Sequence, residues 1–175
     1  MRENIEGKLN ETEKQFEVQR FNDGNSSLEG YSVYGELMRR LHKEHPDMDY
    51  FVGELRDDVP AVAYVAHDLK NEIIGVLNGE KKNKDLEVFW FVIDPEYQNS
   101  GVAKELWDMV FSDFDNIRLV ASVFGSKNDA TEKYLMRRQN ALVRYYERIG
   151  FKIDEESPFY SPKNLLAGVP MICKK

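Results

Sequence analysis

The stretch Glu87-Val-Phe-Trp-Phe-Val-Ile-Asp-Pro-Glu-Tyr-Gln-Asn-Ser-Gly-Val-Ala-Lys-Glu-Leu106 decides how the chain is read. Its first half is apolar, aromatic and β-branched, the composition of a strand, and it runs through Pro95 into a short loop. Gly101 then opens a run in which Val102, Leu106, Met109 and Val110 share one stripe, which predicts a helix. A strand that turns into a helix makes an anion site, because the first helical N–H groups have no internal partner and the helix dipole adds partial positive charge. Gln98, Asn99, Ser100, Gly101, Val102 and Ala103 are therefore the expected cradle for a phosphate or pyrophosphate, with Gly101 permitting close backbone approach. The loop lacks the Gly-Lys-Ser/Thr of a P-loop. It offers no lysine for a terminal phosphate and no hydroxyl for Mg²⁺, which argues against nucleotide hydrolysis and for a diphosphate used as a handle.

Outward from this junction, the remaining elements follow from periodicity. On the N-terminal side, Phe16, Val18 and Phe21 alternate with charged residues as a first strand. After the turn run Asn22-Asp-Gly-Asn-Ser-Ser, apolar positions at Leu28, Tyr31, Tyr34, Leu37, Met38 and Leu41 describe an amphipathic helix that ends at His45-Pro46. Pro60 to Ala66, Glu72 to Leu77 and Leu86 to Asp94 read as three strands of a meander, with a polar turn over Asn78 to Lys84. On the C-terminal side come a strand at Ile117 to Phe124, a helix at Asp129 to Ile149 stopped by Gly150, and closing strands at Phe151 to Asp154 and Val169 to Cys173. Strand, helix, strand around Gly101 suggests a parallel crossover. The class is α+β with a mixed sheet.

Composition narrows the partners. The chain has 175 residues, 42% hydrophobic and 31% charged, ordinary values that argue against disorder, collagen-like repeats and coiled coil. Its length fits one domain spanning 1–175, with polar residues 1–12 expected as a mobile segment. A net charge of −7 repels nucleic acid and anionic membrane surfaces. Charge-free runs such as Val59 to Ala66 and Val88 to Ile93 fall far short of the roughly 20 apolar residues a membrane helix needs. The single cysteine, Cys173, and an N-terminus too charged for a signal peptide point to a reducing, cytoplasmic setting.

On these motifs the chain resembles the GNAT superfamily of acyl-CoA-dependent N-acyltransferases. Gln98-Asn-Ser-Gly101-Val-Ala103 matches the family's Gln/Arg-x-x-Gly-x-Gly/Ala pyrophosphate loop, and Ile93-Asp-Pro-Glu-Tyr97 matches the hydrophobic-x-Pro-Glu-Tyr that leads into it. Tyr145-Tyr-Glu-Arg-Ile-Gly-Phe151 matches the family's Leu-Tyr-Glu-Lys-x-Gly-Phe helix end. The resemblance covers most of Phe16 to Lys175. It implies a GNAT-like mixed, mostly antiparallel central sheet of about seven strands with helices on both faces. It also implies transfer of an acetyl group from acetyl-CoA to a primary amine by direct attack in a ternary complex, with CoA as product and no metal.

Such chemistry needs a proton acceptor for the amine, a polarised carbonyl and a proton for the leaving thiolate. The resemblance assigns the base to Glu87, eleven residues before Gln98, with a water chain as the alternative. It assigns the acid to Tyr146, and the thioester and pantetheine arm to the Ile93 N–H and the strand edge at Phe91. The family's cofactor-binding Asn corresponds to Asn128 or Asn140, because residues around Asn128 to Arg138 are an extra stretch, and Gln139 occupies the register of a gap-free count from Tyr146.

The acceptor side falls to the first helix and the segment after it. There Glu44, Asp47, Asp49, Glu54, Asp57 and Asp58 outnumber Lys43 and Arg56, which suits a cationic amine or equally a solvated charged face. Tyr31, Tyr34 and Tyr50 read as pocket or core residues. His42, His45 and His67 lack metal-ligand spacing, and Cys173 reads as inert. Two other functions stay open: an acyl-CoA-binding sensor or interaction module without turnover, and a transferase acting on a protein lysine or N-terminus. Acceptor identity, acyl length and oligomeric state are not legible in the sequence.

Overall fold

Alternating and β-branched runs from Phe16 onward assemble into one seven-stranded sheet in the computed structural model, which describes residues 16–22, 35–44, 61–123 and 131–175. The strands are β1 (Phe16–Asn22), β2 (Ala61–Asp68), β3 (Ile73–Lys82), β4 (Asp85–Ile93), β5 (Asn116–Ala121), β6 (Lys152–Ile153) and β7 (Val169–Lys174). Their order is β1-β2-β3-β4-β5-β7-β6. Every neighbouring pair is antiparallel except β4–β5, the parallel crossover expected around Gly101. Helix α1 is described over residues 35–44, α2 spans Val102–Asp113 and α3 spans Glu132–Arg148.

The helices cover both faces, as expected. Leu37, Met38 and Leu41 of α1 pack on Ala63, Val65 and Val76. On the other face, Leu106, Trp107 and Val110 of α2 and Tyr146 of α3 pack on Leu77, Leu86, Val88 and Leu119. Among the described residues, no helix is long and apolar enough to cross a membrane.

Two irregularities of β4 shape the molecule. First, β4 pairs with β5 only from Asp85 to Val88, so its last residues run on to Ile93 beside a gap. Second, Val88 pairs with Gly79 but Trp90 pairs with Asn78, which leaves Phe89 as an unpaired bulge residue. A Cβ at Gly79 would lie 2.2 Å from the Glu87 carbonyl oxygen, so only glycine admits this approach. The bulge reverses the side-chain alternation. Leu86, Val88, Phe91 and Ile93 share the α2/α3 face, whereas Trp90 and Val92 pack under α1.

Several boundaries differ from the sequence expectation. The polar run Asn78 to Lys84 is not a turn up to its end: β3 continues through Lys82, and the chain reverses at Asn83, whose φ of 58° supplies the turn. Helix α3 begins at Glu132 because the Thr131 hydroxyl accepts from Tyr134 N and caps it. β5 ends at Ala121 and β6 shrinks to Lys152–Ile153. Tyr31, Tyr34, residues 1–12, expected from the sequence to be mobile, and the expected helix start at Leu28 lie outside the described residues.

Candidate active site

The loop between β4 and α2 is set by a buried carboxylate. Asp94, 3% exposed, donates its N–H to Ile74 O at 2.9 Å, while its Oδ1 accepts from Glu96 N at 3.0 Å and caps the 3-10 turn Pro95–Tyr97. Its Oδ2 accepts from Arg40 Nη2 of α1 at 2.6 Å, and the same nitrogen donates to Ile73 O at 2.6 Å. One turn later, Tyr97 donates its hydroxyl to Asp68 Oδ2 at 3.1 Å. Backbone N–H groups of Glu72 and Lys70 also bind Asp68 and, with Tyr97, hold its carboxyl below the usual range.

Asn99 at φ 68° and Gly101 at φ 95° then bring the chain into α2. Gly101 is the N-cap and supplies no capping side chain. The N–H groups of Val102, Ala103 and Lys104 are thus left to an external acceptor.

This N-terminus opens into a cavity of about 1150 Å³ between β4, β5, α2 and α3 that reaches Met38 of α1. N–H groups of successive strand residues point to opposite edges. Because the Asp94 N–H points to β3, those of Ile93 and Phe91 point to the gap left by β5. A ligand lying there meets a row of backbone donors and acceptors.

The structure brings most of the expected residues together. Phe91, Ile93, Gln98, Asn99, Gly101, Ala103 and Tyr146 all line the cavity. Ser100 and Val102 do not: the Ser100 hydroxyl donates to Tyr97 O, and the Val102 side chain is buried in the core, leaving only backbone for a ligand. Tyr146 is 7% exposed, with ring edges against Trp107 at 6.0 Å and Phe151 at 5.7 Å. Burial pushes its phenol well above the ordinary value, and neighbouring Tyr145 pushes it further, so it stays protonated at neutral pH.

Two expected residues stand apart. Glu87 is exposed and does not line the cavity. Plain alternation puts it on the face of Phe91, but the bulge at Phe89 sends it to the opposite face, beside Arg118 of β5. Asn140 is exposed on α3 and also outside the cavity lining. The inward position is Gln139, 0% exposed, whose Oε1 accepts from Val123 N at 3.0 Å and whose Nε2 donates to Ala121 O at 2.7 Å. Gln139 thereby satisfies the backbone at the end of β5, where the strand leaves its ladder. Asn128 lies outside the described residues, as do Tyr50, Asp47, Asp49, Glu54, Asp57 and Asp58.

The cavity also holds residues that the sequence reading passed over. Trp107 and Phe111 continue the line of the expected Ala103 at four-residue spacing on α2, and Tyr145 and Arg138 line the cavity from α3. That spacing was the available signal, hidden behind the stronger core stripe of Val102, Leu106 and Val110. Lys104 and Asp108 line it as well, paired at 2.5 Å. Among the described residues, no group of His, Cys, Asp and Glu is arranged for a metal. Burial lowers the His67 pKa and raises that of the Cys173 thiol.

Residues 43–175 match the family model described as "Acetyltransferase (GNAT) domain". Among solved structures, the chain is similar to Escherichia coli ElaA, at a TM-score of 0.57 and 11% identity over 91% of this chain and 99% of that one. It is similar to an acetyltransferase from Streptococcus agalactiae 2603, with a TM-score of 0.56 and 13% identity over 93% and 99%. It also aligns with the N-acetylglutamate synthase of Neisseria gonorrhoeae, solved with coenzyme A and N-acetyl-glutamate, at a TM-score of 0.51 and 9% identity over 91% of this chain and 35% of that one. At these identities the likeness speaks for the fold. No curated protein sequence matches the chain.

Proposed function

The chain belongs to the GNAT acetyltransferase family, and from that premise we propose that it transfers an acetyl group from acetyl-CoA to a primary amine by direct attack in a ternary complex. The observation that carries this reading is the uncapped start of α2, opening from β4 onto the cavity that Tyr146 lines. Acyl-CoA fits these residues: the diphosphate suits the N–H groups that Gly101 leaves uncapped, and the arm suits the free edge of β4.

Each catalytic need except the base then has a group at the cavity, and the base falls to Glu87 outside it or to water. The N–H groups of Val102, Ala103 and Lys104, with Gln98 and Asn99 beside them, receive the diphosphate. The Ile93 N–H polarises the thioester carbonyl as negative charge develops on its oxygen. The amine nitrogen bonds to the carbonyl carbon and the carbon–sulfur bond breaks. Glu87, or a water chain, takes the amine's proton, and Tyr146 gives its proton to the departing sulfur and regains one from solvent. No metal takes part in this scheme, and a cytoplasmic setting accords with the single cysteine.

Glu87 on the far face of β4 favours a second reading, an acyl-CoA-binding module without turnover. A protein lysine or N-terminus as acceptor is compatible with the same site.

Thermal unfolding with saturating acetyl-CoA against free acetate tests the donor site, since a ligand at 100 times its Kd adds about 2.7 kcal/mol to the folded state. An upward shift in Tm is expected, followed by amine-dependent thiol release. Absence of any shift sinks both CoA readings, and a shift without thiol release across an amine panel selects the binding module.

A further inference from the structure

The cavity touches both faces of one strand. Every residue of β4 from Val88 to Ile93 lines it, and of these Phe91 and Ile93 pack on the α2/α3 face, whereas Trp90 and Val92 pack on the face of α1. A space on both sides of a strand must pass its edge. One edge of β4 is closed by β3 as far as Ile93, so the passage is the gap that β5 leaves beyond Val88.

The two sides differ in chemistry. The charged side chains of the lining, Lys104, Asp108 and Arg138, all belong to α2 and α3, on the side where the diphosphate loop opens. Beyond the gap the cavity is lined by Trp90, Val92, Val120 and, on α1, Met38. Val120 is 52% exposed and lies on that face because Leu119 and Ala121, its neighbours in β5, pack on the other. Among the described residues this far side is apolar and aromatic. Glu87 pairs in register with Arg118 one step before the gap opens, and neither lines the cavity. Nor does Glu44, the one acidic residue of the expected acceptor segment that lies among the described residues.

Such surroundings select their occupant. A second charge on an entering amine would be stripped of water with no partner, whereas an apolar body gains by burial. The same environment disfavours the ammonium form, which gives its proton to solvent on entry. The neutral nitrogen that must attack is thus favoured without a carboxylate at the cavity.

We propose that the acceptor is an apolar primary amine bearing an aromatic ring, which takes the α1 side of the cavity, its ring against Met38, Trp90 and Val92 and its nitrogen at the gap. The inference rests on the acetyl-transfer reading above and names the acceptor class which that reading leaves open. Val120, at the exposed rim, is the position from which a charge would change the choice.

Thiol release from acetyl-CoA with 2-phenylethylamine, ethylamine and 1,4-diaminobutane tests this. The kcat/KM for 2-phenylethylamine is expected to exceed that for either of the others by about 10-fold or more, the worth of burying a ring. Trp90→Ala raises KM for 2-phenylethylamine and leaves that for ethylamine. Val120→Asp narrows or reverses the preference over 1,4-diaminobutane, with acetyl-CoA affinity by calorimetry as in wild type. Wild type that turns over ethylamine or 1,4-diaminobutane as fast as 2-phenylethylamine overturns the proposal and leaves the acetyl-transfer reading intact. A Val120→Asp protein that binds acetyl-CoA and keeps the wild-type preference in full overturns it too. Faster turnover of butyryl-CoA than acetyl-CoA, with no regard to the amine's ring, gives the far side to the acyl group and has the same effect. Failure to bind acetyl-CoA at all overturns the donor reading with it.

Discussion

Arg40 and Asp94 meet at 2.6 Å, and through them helix α1 holds the turn from which the loop proposed to receive the diphosphate departs. Asp94 is enclosed, and its second oxygen is already committed to Glu96 N. Arg40→Met leaves that carboxylate uncompensated and is expected to cost about 3 kcal/mol, the low end for losing one partner of a buried pair. Urea unfolding at unchanged m measures it. A loss under 1 kcal/mol means that the loop holds itself.

Gly101→Val acts on the other end of the same loop. A φ of 95° strains any β-branched residue, at a cost of about 1–2 kcal/mol, and the added side chain crowds the start of α2. Acetyl-CoA affinity falls with stability in this variant. Calorimetry that finds affinity intact places the diphosphate elsewhere.

Tyr146→Phe separates binding from chemistry. Steady-state kinetics at neutral pH are expected to show kcat lower by roughly 10²-fold with acetyl-CoA affinity nearly unchanged. An unaltered kcat removes Tyr146 from the mechanism.

The same variant has a signature in alkali. Burial raises the phenols of Tyr64, Tyr145 and Tyr146 above the ordinary 10.0, so above that pH the unfolded chain releases protons that the folded chain keeps. The unfolded state then binds fewer protons, and stability falls as pH rises. Each such phenol steepens the fall by about 1.4 kcal/mol per pH unit. Thermal melts from pH 8 to 11 are expected to slope less for Tyr146→Phe than for wild type, and parallel slopes contradict the enclosure of this ring.

Neighbouring α3 residues give a contrast. Gln139→Ala strips two partners from the end of β5 and is expected to cost about 2–3 kcal/mol, whereas exposed Asn140→Ala stays within about 0.5 kcal/mol and binds CoA as wild type does. A tenfold loss of CoA affinity in Asn140→Ala restores it as a cofactor ligand.

These contrasts mark where the sequence could and could not be read. The strand, Pro95 turn, Gly101 and helix were legible because each is a local signal: propensity, a missing N–H, a positive φ, a periodic stripe. Tyr146 was legible only through its motif, as its burial is decided by the rings of Trp107 on α2 and Phe151 after α3. The face of Glu87 was not legible, since counting by twos fails at a bulge whose only trace is Gly79. Nor was the role of Gln139, which answers to a backbone gap sixteen residues earlier. The Ala103–Trp107–Phe111 stripe was present in the spacing but was outweighed by the more apolar stripe beside it.

The gap between β4 and β5 has one further consequence. A sheet that parts in its middle leaves β4 without a partner on that edge beyond Val88, and in the proposed binding mode an arm laid along β4 supplies some of the missing hydrogen bonds, so that the substrate would become a temporary piece of the protein's own secondary structure. Occupancy is then recorded in the backbone itself. The amides of Phe91 and Ile93, open to deuterium in the empty molecule, should fall silent in exchange when the arm is seated, before any bond is made or broken.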